Sequence, residues 1–490
     1  MTELAYFGTE GQLVTLQAMG AAGRNFSYDT HGNLVEGTFF GPNRQLVRGK
    51  PGFAKQTVVW DASGRSLESF FGPDDKPMLI FGGRVAKVRG IWDARGYLVE
   101  RVSFDEHDRL VRDDDGCVKV QMTHDEQGNL AEQACLDEMD HLVRSTDGYA
   151  KVKRRYDARG NAIEASYFGP HGRPERYEEQ YIKQRSTYNP QGKVIEQVYL
   201  DAADHPVPTS DGYAKVTYMY DTQGQVVEVS FFDAQDQLTR RTGGYAQKRR
   251  IYDARSNLIE EIFFDPQGNP TRDDDGYVKA RFAYDDRGYR IEQAFFDEHD
   301  RPILHRDGYS TMQSKYNESG RLLERTFLGL DSAPVLLKER GFAKVRWTYD
   351  GRGKVVQLAY FGPDDQPVQT GYGYVMIRIA YDALGRETRR EFFDVNGVPV
   401  HTRVAIWEFQ PGSNGQRLGL EIGDLLLNYD GEDIGNTHVF SELELVKGER
   451  PRELRVQRQG AVVTVDAPPG RLRGVDLVNR VPFGSNKVGL

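Results

Sequence analysis

The sequence predicts a mainly β fold: an elongated array of about twelve 32-residue β-hairpin repeats, followed by a C-terminal segment of different character. Three observations predict it. An aromatic residue or a stand-in, followed by Asp or Asn, recurs in steps of 32 at Tyr28, Trp60, Trp92, His124, Tyr156, Tyr188, Tyr220, Tyr252, Tyr284 and Tyr316. It then returns at Tyr349 after 33 residues and at Tyr381 after 32. Glycine stands four residues after that aromatic in eleven of twelve copies, Ser256 being the exception, and the rhythm stops near Pro399. A fixed period marks stacked units, and stacked units make surfaces rather than pockets.

One copy shows why the unit is a hairpin. Residues 149–156 (YAKVKRRY) alternate, with Ala150, Val152 and Tyr156 on one face of a strand. Asp157-Ala158-Arg159-Gly160-Asn161 is turn chemistry: Asp bonds backbone two residues on, and Gly supplies a positive φ. Ala162–Phe168 is a second strand, Gly169–Pro174 turns again, and a short third segment leads to the next copy. Eight residues after the aromatic, Glu recurs ten times from Glu36 to Glu324, broken only by Gln357 and Arg389. Five residues before it, Lys recurs, as at Lys55, Lys87, Lys151 and Lys344. The two columns read as a ladder of cross-strand ion pairs rather than an acidic track. Twelve units in one continuous sheet would extend roughly 115–175 Å, and one coil per unit about 58 Å. Solenoid and spiralling sheet both fit the sequence.

Bulk composition excludes several function classes. A net charge of −9 and a pI near 5.7 provide no basic field for nucleic acid. Mean hydropathy is −0.63 and no apolar run approaches a bilayer span, so direct membrane insertion is not expected. Two cysteines exclude a disulfide framework. The first residues lack signal-peptide character. Leu4–Gly8 repeats Leu358–Gly362, which suggests a start inside a repeat; localisation stays open.

The Tyr-Asp-x-x-Gly-Asn core at 156–161, and its looser form at 28–33, resembles the YD repeats of bacterial Rhs-type surface and toxin-shell proteins. The likeness spans about residues 4–400, with a longer period and an added Phe-Phe-Asp or Phe-Gly-Pro segment. It implies a spiralling or solenoidal sheet of hairpins, which defines residues 1–399 as the repeat array.

Residues 400–480 resemble a PDZ domain, an α/β module, with 481–490 as a flexible tail. The resemblance rests on a strand at Val404–Phe409, Pro411-Gly412-Ser413, Gly419-Leu420, Gly423-Asp424-Leu425-Leu426 and an Asn428-x-Asp430-Gly431 turn. It implies peptide capture by strand addition, with Arg403, Val404, Ala405, Ile406 and Trp407 at the sheet edge. Val439, Phe440 and Leu443 would face them from a helix over 438–446. The usual carboxylate loop is absent before Val404. Arg403 either meets a carboxylate or caps a strand end, and a second candidate loop with Leu472, Gly474 and Val475 would serve a permuted arrangement.

No nucleophile elbow, phosphate loop or His-Glu-x-x-His motif appears, so neither an enzyme nor a cofactor is expected. Cys117, His124 and Cys135 read as drift at core positions, with a thiol, metal or disulfide site as the minor alternative. Asp113–Asp115, Asp273–Asp275 and the Asp-Glu-His-Asp-Arg stretches at 105–109 and 297–301 read as solvated turns rather than calcium loops. The expected function is a non-enzymatic bacterial scaffold presenting a peptide- or C-terminus-binding module. The alternatives are a regulatory portion of a larger enzyme or toxin, and a carbohydrate-binding surface on exposed Tyr and Trp.

Overall fold

The computed structural model describes residues 2–480, apart from 9–10, 17–18, 62–64, 81–83, 178–179, 383–384, 386, 410–417, 430–431, 435–451, 459–460 and 468–474. The chain divides into two units, Met1–Thr209 and Ser210–Leu490. Among the described residues every regular element is a β-strand, and no helix is long and apolar enough to cross a membrane.

Thirteen strands of the first unit, from Thr2–Ala5 to Val194–Leu200, follow one another in antiparallel order. In the second unit thirteen more, from Lys215–Tyr220 to Pro399–Val400, do the same. Within each unit hairpin pairs with hairpin, so a repeat adds two strands to a sheet instead of one coil to a solenoid. Strands Lys151–Tyr156 and Ala162–Phe168 pair from Lys151↔Phe168 to Arg155↔Glu164, and a bulge then sets Tyr156 opposite Ala162. The ladder to the next hairpin is shorter, only Glu164↔Arg185 to Ser166↔Lys183.

The turn chemistry is as the sequence reads. Asp157 Oδ1 accepts from Arg159 N and Asn161 N, both at 2.9 Å, and its other oxygen accepts from Asn161 Nδ2 at 2.8 Å. These donors, the Asn161 side chain foremost, hold the Asp157 carboxyl below the usual range. Gly160 sits at φ +81°, and Ser256 takes the same left-handed conformation at φ +71°.

Most of the repeat aromatics also reach backwards. Tyr156, Tyr188, Tyr252, Tyr284 and Tyr316 donate their hydroxyls to the carbonyls of Leu130, Ala162, Val226, Leu258 and Arg290, 26 residues earlier, at 2.8–3.1 Å. Trp60 does so through Nε1 to Leu34 O at 2.9 Å. The recurring aromatic is therefore an inter-repeat tie. His124 lacks this reach: it stacks on Tyr97 at 4.9 Å, and its Nδ1 is buried without a partner.

A second set of rings makes the core. From Tyr213 to Phe392 twelve Phe and Tyr rings, alternating between third segment and second strand, lie 4.5–6.0 Å apart. Tyr149, Tyr167, Tyr181 and Tyr199 continue the pattern in the first unit. Offset and edge-to-face pairs at such distances add to the burial of each ring. In the fourth copy the equivalent slots hold Cys117 and Cys135, which are bonded to each other. This corrects the reading of these residues as unpaired drift. The hairpin places them face to face, with Cα atoms 5.2 Å apart.

The ion-pair ladder exists, with partners other than the two columns alone. Lys87, Lys183, Lys279 and Lys344 bind Asp108, Asp204, Asp300 and Asp365 at 2.6–2.7 Å. These Asp residues occupy the left-handed position of the second turn. The Glu column instead meets Arg two residues beyond the Lys column, as in Arg185–Glu164 at 2.9 Å and Arg281–Glu260 at 2.7 Å. Glu68 leaves the column. Its hairpin lacks the bulge, so register slips by one, Val58 faces Glu68, and Leu67 turns out to solvent. Burial raises the Glu68 carboxyl, and Gln56 Nε2 donates to it at 2.9 Å.

Replacing Ser256 by Gly should raise stability by about 0.5–1 kcal/mol, because only the β-carbon resists φ +71°. Tyr252→Phe should lower it by roughly 0.5–1.5 kcal/mol through loss of the bond to Val226 O. Denaturant unfolding of both variants reads the two effects, which have opposite signs.

Candidate functional site

The period ends in hydrogen bonding where it ends in sequence. Pro399–Val400 is the last strand of the repeat sheet, and Arg403–Phe409 is the first strand of a different one. In this second sheet the order is Ala461–Ala467, Arg452–Arg458, Leu425–Tyr429, Arg403–Phe409 and Val475–Arg480, with Glu432–Asp433 added beside Leu425–Tyr429. The central strands are apolar for this reason: Val404, Ile406, Leu426, Leu454 and Val456 are all at most 1% exposed and share a core with Leu420, Tyr429 and Ile434.

A charged anchor holds its irregular part. Arg458 donates from Nε and Nη2 to the two oxygens of Asp424, at 2.8 and 2.6 Å, and from Nη2 to Gly419 O at 2.8 Å. Asp424 also accepts from Glu421 N, which pins the Gly-Asp turn against the sheet. The Asp424 contact holds the Arg458 guanidinium above its ordinary value. A bidentate pair of this kind fixes geometry as well as charge.

The predicted peptide edge is misplaced. Arg403–Phe409 pairs with Leu425–Tyr429 on one side, and on the other with Val475–Arg480 over Arg403↔Arg480 to Phe409↔Val475. It is an interior strand, and Val404, Ala405 and Ile406 are buried in the core at 0–2% exposure. Arg403 donates to Ile434 O at 3.4 Å, a contact within the module. Trp407 lies in the same interior strand. Val439, Phe440 and Leu443 lie outside the described residues, as do Leu472 and Gly474. Val475 opens the Val475–Arg480 strand, which pairs with Arg403–Phe409 alone among the described residues. The open edge is therefore one strand further out than the sequence reading put it.

The acidic turns of the array are less solvated than expected. Asp113 is 6% exposed, accepts from Asp115 N and Cys117 N at 3.0 Å each, and is paired by Arg101. Asp273 accepts from Asp275 N and Tyr277 N at 3.0 and 3.3 Å. Burial, assisted by the Asp275 charge, pushes its carboxyl up to about 6. Asp105–His107 and Asp297–His299 each bring three possible ligand atoms within 4.8 Å. Yet Asp105 and Asp297 already accept from two backbone N–H groups and from Arg109 and Arg301 Nε. These carboxylates are built as turn acceptors.

No protein-family model matches the chain, and no curated protein matches it. Among solved structures it is similar to a TcdB2-TccC3 crystal structure lacking the hypervariable C-terminal region: 11% identity over 79% of this chain and 22% of that one, TM-score 0.26. It is also similar to a Photorhabdus luminescens Tc holotoxin pore, with 13% identity over 91% of this chain and 25% of that one, TM-score 0.25. A porin-like protein from Bacteroides uniformis gives 8% identity over 68% of this chain and 92% of that one, TM-score 0.08. The chain spans about a quarter or less of the two toxin structures it matches.

Asp273 gives a pH signature. A folded-state value near 6, against 3.8 in the unfolded chain, means the native state keeps a proton that the unfolded state releases. Stability from this group is present below pH 4 and lost as pH rises through 6. Asp273→Asn should therefore equal the wild type near pH 4 and exceed it by about 1–3 kcal/mol at pH 7–8, read by unfolding across pH.

Proposed function

We propose that this chain is a non-enzymatic binding protein whose C-terminal module, a permuted PDZ-like α/β domain, captures peptide C-termini by strand addition. The observation that carries the reading is the Val475–Arg480 strand, at the end of the sheet with its outer side unpaired among the described residues. An incoming strand finds a row of backbone donors and acceptors there. Residues 470–474, with Leu472 and Gly474, immediately precede that strand in the sequence, the position a carboxylate-binding loop would take. Arg403 and the buried Val404–Ile406 segment then support the site from the adjacent strand without touching the peptide. The repeat array carries the module, its Tyr hydroxyls being engaged between repeats instead of presented to a sugar.

The test is fluorescence polarisation of the full chain against a library of labelled C-terminal peptides, each with a free and an amidated terminus. Peptides with an apolar last residue should bind, lose at least tenfold on amidation, and be lost with Val478→Pro, whereas Arg403→Ala should leave binding within about twofold. Absence of binding above background, or binding indifferent to both the amide and Val478→Pro, would sink the reading.

A further inference from the structure

The fourth repeat differs from its neighbours in one covalent respect. Third segment and second strand meet in the core at the ring pairs Phe53–Phe70, 5.0 Å apart, and Tyr149–Tyr167, 5.3 Å apart. Cys117 and Cys135 occupy the same two slots one repeat before Tyr149 and Tyr167, and there the contact is a disulfide. They are the only cysteines in 490 residues. Independent drift would give the second no reason to fall opposite the first. Around them the packing is thin: Val120, Met122 and Val143 complete a small cluster where the following repeat packs Tyr149 and Tyr167. Two thiols alone leave that slot short of the apolar area and ring contact that Tyr149 and Tyr167 supply one repeat on, and a covalent link offsets the deficit by restricting the unfolded chain.

Both cysteines are nearly inaccessible, at 2% and 5% exposure, so an external reagent reaches them only before the hairpin closes. We propose that Cys117 and Cys135 are a structural oxidation site, bonded by thiol–disulfide exchange while the chain folds in an oxidising compartment, and that this chain therefore matures outside the reducing cytosol. In the step the two thiols lose two protons and two electrons and form the S–S bond. The electrons reduce a dithiol-type oxidant, which enters as a disulfide and leaves as two thiols.

The experiment expresses the full chain in two bacterial arms, one retained in the cytosol and one exported to the periplasm by an added signal sequence. Each is quenched in acid, unfolded, treated with an alkylating agent and weighed intact, with and without prior reduction. The exported chain should carry no adduct until reduced and two afterwards. The cytosolic chain should carry two at once and melt about 5 °C lower. Cys117→Tyr with Cys135→Tyr, which restores the ring pair, should melt at one temperature from both arms. Should that pair fail to fold, Cys117→Val with Cys135→Ser, copying Val85 and Ser103 of the preceding repeat, replaces it. Free thiols in the folded exported chain, a bond formed equally in both arms, or equal melting of the two wild-type samples overturns the proposal.

Discussion

The bond from a repeat tyrosine to a carbonyl 26 or 27 residues behind it carries the architecture, because it spans a gap the backbone leaves. Six residue pairs join the two strands of the Lys151–Phe168 hairpin, but only three join it to the next, and those three lie away from the aromatic–Asp turn. At the turn end the inter-hairpin ladder has stopped, and a carbonyl such as Ala162 O accepts from the tyrosine hydroxyl of the next hairpin instead. A phenol is long and rigid enough to bridge the opening, and an indole nearly so; an imidazole is not, as His124 shows.

The other contacts then fall into layers. Ring pairs fill the space under the sheet, Lys–Asp and Arg–Glu contacts line its outer face, and the third-segment turns stack. Arg306 N donates to Asp275 O at 2.8 Å, and Lys338 N to Asp307 O at 2.9 Å, each to the turn one repeat earlier. Among the described residues these layers join neighbouring repeats within each unit, which is the contact pattern of a one-dimensional array. Single surface ion pairs in such an array contribute little on their own. Ring burial and the tyrosine ties stabilise it more.

Much of this was legible in the sequence, because a repeat supplies its own comparison. Strand ends, the Asp-x-x-Gly turn and the left-handed position of Ser256 followed from aligning copies. What stayed hidden depended on register and partner choice. Glu68 sits in the Glu column by sequence, yet one missing bulge residue turns it to the other face. Cys117 and Cys135 are 18 residues apart, and their pairing becomes visible only when Tyr149 and Tyr167 are recognised as facing slots. In the C-terminal module Val404–Phe409 reads as an edge strand when taken in chain order. The strand that covers it comes last in the chain, and short apolar runs carry no mark of which neighbour they take. The groove helix expected over 438–446 lies outside the described residues.

The single 33-residue step shows where this design has slack. Lys338 to Gly341 hold the additional residue: Leu337 N donates to Phe342 O five residues on, where Asp273 N donates to Tyr277 O four residues on. Both flanking hairpins keep their register, and Tyr349 still reaches Leu322 O at 2.8 Å, now across 27 residues. The third-segment turn thus works as an expansion joint. Length can change there without disturbing the alignment of strands on either side, which makes it the natural place for such a chain to acquire, or be given, a grafted loop.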